Sequence, residues 1–162
     1  MAQKKFAHSV YDLNYHIILV TKYRRKVLTG RIADRLKAEC ARLMEEMGGS
    51  VREAETDEDH IHLLLEIPPS KSVSEVVNVM KGVTARLIRR DYPEEVKKLL
   101  LGGSLWSASY YAATAGGVTV DKLREYVLSQ PTEEHKRKYE KTGKYRKKKK
   151  QAKPARRDSS TI

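Results

Sequence analysis

Two short constellations in this 162-residue chain carry residue types that do chemistry. His60-Ile61-His62 sets two imidazoles two residues apart. Along a strand alternate side chains share a face, so both rings project one way and Ile61 the other. Two neutral imidazoles side by side can chelate one divalent metal, although strand histidines serve equally as surface or satisfied core residues. Tyr126 and Gln130 are four residues apart and share a face if their segment is helical. Gln130 offers a carbonyl oxygen, a hard neutral ligand that Mg²⁺ or Mn²⁺ accepts, and Tyr126 offers a phenolic oxygen. The plainer reading of this second pair is amphipathic packing by the tyrosine and a solvated helix end before Pro131.

The elements that must position these groups follow from the pattern. Residues 14–21, NYHIILVT, are β-branched and aromatic and predict a buried strand. Residues 31–47 put Ile32, Leu36, Leu43 and Met47 on one helical stripe with Cys40 between them, and Gly48-Gly49 ends that helix. Residues 50–56 predict a second strand, and His60 to Ile67 a third, closed by Pro68-Pro69. Ser72 caps a second helix running to about Arg90, with Val73, Val76, Val77, Met80, Thr84 and Leu87 inward. Leu105 to Thr114 predicts a fourth strand, broken by Gly116-Gly117; Trp106 reads as core. Thr119 caps a third helix stopped at Pro131, in which Val120, Leu123 and Val127 form the docking stripe with Tyr126 and Gln130 beside it. The order β-α-β-β-α-β-α predicts an α+β, ferredoxin-like (RRM-like) fold: an antiparallel sheet with helices on one face, plus a C-terminal helix bearing the tyrosine.

Composition narrows the class. Forty per cent hydrophobic and 33% charged residues exclude collagenous or wholly disordered chains. Cys40 is the single cysteine, which rules out an intrachain disulfide and a zinc-thiolate cluster. There is no long apolar run and no secretory signal, so a cytoplasmic protein without membrane attachment is expected. The net charge of +12 is unevenly placed: residues 136–162 hold 13 Lys/Arg against two acids, leaving a net of +1 for residues 1–135. The expected organisation is a folded body, 1–135, and a basic, disordered arm, 136–162. Such an arm points to salt-dependent phosphate attraction, or simply to a solvated tail.

The residue pattern resembles the single-tyrosine HUH transposases, the TnpA-type enzymes of small insertion sequences that move as single-stranded DNA. The resemblance is carried by Tyr15-His16-Ile17-Ile18-Leu19-Val20 leading into Lys22-Tyr23-Arg24-Arg25-Lys26, by Asp59-His60-Ile61-His62-Leu63-Leu64, by Ser72-Val73-Ser74 with Lys81-Gly82, by Leu105-Trp106-Ser107 before Tyr110, and by Tyr126-Val127-Leu128-Ser129-Gln130. It covers roughly residues 8–131. It implies that Tyr126 is the nucleophile, that His60, His62 and Gln130 are the ligands of a divalent metal (Mg²⁺ or Mn²⁺), and that the substrate is single-stranded DNA with hairpins near the element ends. It also implies a homodimer, with tyrosine helices exchanged through a hinge at Gly116-Gly117. Cleavage would pass through a 5′-phosphotyrosine without a nucleotide, in keeping with the lack of a phosphate-binding loop motif. Lys22, Arg24, Arg25 and Lys26 are placed to grip phosphates, with Tyr23 stacking on a base. Asp59 is placed to orient a histidine from outside the ligand set.

Two rival readings stand beside this one. A non-enzymatic RNA- or single-stranded-DNA-binding module would use the same topology and basic arm, but it leaves the histidine pair and Tyr126/Gln130 without a purpose. A domesticated HUH nuclease would keep the chemistry without mobilising an element.

Overall fold

The computed structural model describes residues 4–6, 8–100, 103–116 and 119–141. A short hairpin of β1 (Lys4–Phe6) and β2 (Ser9–Tyr11) precedes the main sheet. That sheet joins β3 (Asn14–Val20), β4 (Ser50–Thr56), β5 (His60–Glu66) and β6 (Tyr111–Thr114) in the order β4-β5-β3-β6, every pair antiparallel. This is the split βαβ arrangement expected from the order of elements, the last two strands inserting beside and outside the first.

Strand parity divides the sheet. Ile17 and Leu19 on β3, with Ile61, Leu63 and Leu65 on β5, are buried against α1 (Gly30–Glu46) and α2 (Val73–Asp91). From α1 come Leu36, Cys40 and Met44, and from α2 come Val76, Val77, Met80 and Ile88. The opposite face carries Ile18 and Val20, covered by Val127 of α4 (Val120–Ser129) with Leu123, Tyr126 and Tyr111 around them.

Local chemistry sets the element ends. The Ser72 hydroxyl accepts from the Glu75 amide, and the Glu75 carboxylate accepts from the Ser72 amide, a reciprocal cap on α2. Thr119 accepts from the Lys122 amide and opens α4. Gly48 follows α1 at φ +83°, and a Cβ at Gly49 would stand 2.2 Å from the Glu66 carbonyl, so the chain can enter β4 here only through glycine.

The structure departs from the sequence expectations in four places. The strand expected over Leu105–Thr114 is confined to β6. Residues Leu105–Ser107 touch β3 and its extension only through single bonds, and the Ser107 and Ala108 carbonyls are taken by the Lys81 ammonium at 2.6 and 3.3 Å. Lys81 thus supplies part of the hydrogen bonding that this segment does not find in a ladder. An extra helix, α3 (Pro93–Leu100), follows α2, with proline at its start, acids in its first turn and lysines in its last. Helix α5 (Glu133–Lys141) runs across the expected 135/136 boundary; the rest of the basic arm, 142–162, lies outside the described residues. The β1–β2 hairpin was likewise not foreseen. Among the described residues no helix is long and apolar enough to cross a membrane.

Candidate active site

β5 presents His60 and His62 on the sheet face shared with α4, and Ile61 is fully buried on the other. The two rings line a cleft of about 690 Å³ between the β4–β5 turn and α4, together with Asp57, Asp59, Arg24 and, from α4, Leu123, Arg124, Val127 and Leu128. His60 Nδ1 lies 2.7 Å from Asp59 Oδ1, and the other oxygen of that carboxylate accepts from Arg24 Nε at 3.1 Å. Asp59 is thus held by a guanidinium on one oxygen and contacts the His60 imidazole with the other. Asp57, Asp59 and His60 each bring one ligand atom within 4.8 Å of the others. Burial, and next the neighbouring His16, lower the His62 imidazole pKa from its ordinary value, which favours the neutral ring.

Tyr126 and Gln130 also come together, but elsewhere. The Tyr126 ring packs on Tyr111 of β6, with centroids 5.2 Å apart. Its hydroxyl lies 3.1 Å from Ser109 Oγ, which donates to Gln130 Oε1 at 3.0 Å. Tyr111 and His62 are both register partners of Ile18, on opposite sides of it. They are thus two strand spacings apart, about 10 Å. In this arrangement of α4 the tyrosine and glutamine face β6, and the cleft that holds the histidines is lined by other residues of the helix.

The basic turn after β3 is built tightly. Tyr23 and Arg24 lie in the left-handed backbone region at φ 59° and 53°, uncommon for residues with side chains. The Thr21 hydroxyl ties the turn to the Arg25 and Asp59 carbonyls. Arg25 is occupied by the protein itself, donating to the Leu100 carbonyl at 2.7 Å and to the Glu133 carboxylate. Lys26 stands 3.6 Å from Glu58 and is largely exposed. Lys22, Arg25 and Lys136 surround the Tyr23 ring, the Lys136 ammonium at 4.9 Å from its centre. Of the five residues expected to meet DNA, Arg24, Arg25 and Lys26 are thus engaged in ion pairs within the chain, that of Lys26 at the surface. Trp106 is core as expected, its indole N–H donating to Thr84 Oγ1 at 3.0 Å.

Three polar residues of the site had no role assigned from the sequence. His16 sits on the α4 side of β3 beside His62. Ser109 bridges Tyr126 and Gln130, and Lys81 pins the segment that carries Ser109. Only His16 left a usable signal, since it shares strand parity with Ile18 and Val20.

Known proteins resemble this chain over most of its length. A family model described as "Transposase IS200 like" matches residues 9–130. The ISDra2 transposase TnpA of Deinococcus radiodurans is 37% identical over 134 residues, spanning 83% of this chain and 95% of that one. The transposase for insertion sequence element IS200 of Salmonella typhimurium is 32% identical over 132 residues, spanning 82% and 86%. A crystal structure of a candidate transposase from Deinococcus radiodurans R1 matches with a TM-score of 0.73 at 32% identity, over 80% of this chain and 98% of that chain. These matches define the class as a DNA-transferring enzyme. The chain belongs to the IS200-like tyrosine transposase family.

Proposed function

We propose that the chain cleaves and rejoins single-stranded DNA at hairpin-marked element ends, with Tyr126 as nucleophile and His60, His62 and Gln130 as ligands of Mg²⁺ or Mn²⁺. The observation that carries this reading is the cleft itself. Two imidazoles of one strand line it, and one of them is locked by a carboxylate through the nitrogen that a ligand would not use. A divalent ion there supplies orientation of the scissile phosphate and neutralisation of its developing charge. Tyr126 Oη attacks phosphorus in line as the bond to the 3′-oxygen breaks. The phenol loses the proton that the departing 3′-hydroxyl gains. A 5′-phosphotyrosine keeps the phosphodiester energy, and a second 3′-hydroxyl then displaces Tyr126 and rejoins the strand.

Tyr126 and Gln130 face β6, so the reaction needs α4 in another position. Gly116, at φ +98°, stands at the start of the connection to α4 and supplies a hinge. A homodimer with exchanged tyrosine helices would bring a second copy's Tyr126 and Gln130 to this cleft. Lys22 and Lys26 meet phosphates, and Tyr23 takes a base once Lys136 has left its ring. The test is adduct trapping. Purified protein, end-labelled single-stranded hairpin DNA and Mn²⁺ are resolved on a denaturing gel beside Tyr126→Phe. A metal-dependent covalent band absent from the variant is expected, with hairpin binding retained. A band that persists in Tyr126→Phe removes the tyrosine from the mechanism, and binding without any band favours the non-enzymatic module.

A further inference from the structure

His16 has no part in the scheme above, yet it touches one of its central groups. On β3 it is the register partner of Leu64, so it is the diagonal neighbour of His62 on one sheet face. His16 Nδ1 lies 2.8 Å from His62 Nε2. The ring centroids are 5.1 Å apart and the planes differ by 16°. Rings so nearly parallel, with edge nitrogens this close and centres this far apart, meet edge to edge. The contact is an in-plane N–H···N hydrogen bond rather than face-to-face packing.

Two neutral imidazoles in such a contact hold one hydrogen between the touching nitrogens, and there are two ways to place it. If His16 Nδ1 donates, neutral His62 carries its own hydrogen on Nδ1 and has no lone pair left for a cation. If His62 Nε2 donates, His62 Nδ1 keeps its lone pair. While this contact holds, only the second arrangement leaves His62 a nitrogen for a cation.

We propose that His16 is a positioning residue: by accepting the Nε2–H of His62 it fixes that ring's plane and tautomer and leaves Nδ1 as the nitrogen that meets a divalent cation. The proposal rests on the reading of His60 and His62 as cation ligands, and it makes them unlike each other. Asp59 holds His60 through Nδ1 and leaves Nε2, whereas His16 holds His62 through Nε2 and leaves Nδ1. A histidine ligand whose second nitrogen is held by a partner is oriented before the metal arrives, and loss of that partner typically costs 10- to 100-fold in metal affinity.

The experiment uses the full chain labelled with ¹⁵N at histidine. Long-range ¹H–¹⁵N correlation spectra report each ring's tautomer with neither metal nor DNA present, and Mn²⁺ affinity is measured separately by electron paramagnetic resonance titration. The wild type should show His62 as the Nε2–H tautomer. His16→Phe keeps a ring but no nitrogen; it should mix the His62 tautomers and weaken Mn²⁺ binding about 10- to 100-fold. His16→Asn, whose amide places a polar atom near the Nδ1 position, should recover most of that loss. Wild-type His62 found as the Nδ1–H tautomer overturns the proposal, as does His16→Phe with unchanged tautomer and affinity. Should His16→Phe fail to fold, the wild-type tautomer and the Asn variant decide. Failure of the tyrosine adduct alone would sink the cleavage scheme and leave these readouts standing; a wild type that binds no Mn²⁺ would overturn both.

Discussion

The two faces of the central sheet are made by the same strands and serve opposite ends. Toward α1 and α2, β3 and β5 contribute Ile17, Leu19, Ile61, Leu63 and Leu65, all essentially inaccessible to water. Toward α4 the same strands contribute His16, Ile18, Val20, His60, His62 and Leu64, and the cluster beneath Val127 is reduced to Ile18 and Val20. One face holds the fold. The other gives up burial and leaves the His60 and His62 imidazoles within reach of solvent. Stability and chemistry are thus separated by strand parity, residue by residue.

The sharpest way to break that separation is to truncate neighbours on opposite faces. Ile61→Ala should cost about 2–5 kcal/mol in denaturant unfolding, because a fully buried side chain leaves a cavity among its neighbours. His62→Ala, one residue on, should change stability by less than about 1 kcal/mol while abolishing Mn²⁺ binding. Equal losses from the two would show that the α4 face also holds the fold. A smaller effect is expected one step from the ligands. Asp59→Asn keeps the shape but lacks the charge that binds both Arg24 and His60, and Mn²⁺ affinity should fall about 10- to 100-fold. An Asp59→Asn protein with wild-type affinity would mean that His60 needs no partner to be oriented.

Much of this division was legible in the sequence because period and parity are local. Strand parity at His60-Ile61-His62 assigned the two histidines to one face and Ile61 to the other, and the stripes of α1, α2 and α4 followed from their spacing. Asp59 could be placed beside the histidines because it precedes them directly. What escaped was set by long-range contacts. Whether Tyr126 meets His62 depends on which strands α4 lies over, and Ser109 lies in a segment whose carbonyls answer to Lys81 on a distant helix. Residues 105–110 have strand composition but not strand pairing for the same reason. Helix α3 is a different case: proline, acids and lysines marked its ends, but its eight residues fell between stronger patterns.

The smallest predicted effect tests how dry the core face is. Cys40 is buried in α1 against the sheet, and burial pushes its thiol from 9.0 up to about 12. The unfolded chain ionises this thiol near its ordinary value, whereas the folded chain keeps it protonated. Between those two values the folded state therefore binds more protons, and the stability contributed by the neutral thiol falls as pH rises. The contribution is fully present well below pH 9 and disappears progressively as pH rises through 9 toward 12. Relative to Cys40→Ala, the wild type should lose about 0.4 kcal/mol by pH 9.0 and about 1.4 kcal/mol one unit higher. Comparing the two proteins removes the lysines and tyrosines that titrate in both. Parallel stability curves for the two, or rapid reaction of native Cys40 with a thiol reagent at pH 8, would show that water reaches this face too. The contrast between the faces would then be one of degree, and His16, His60 and His62 would owe their accessibility to loose packing throughout rather than to the side of the strand on which they fall.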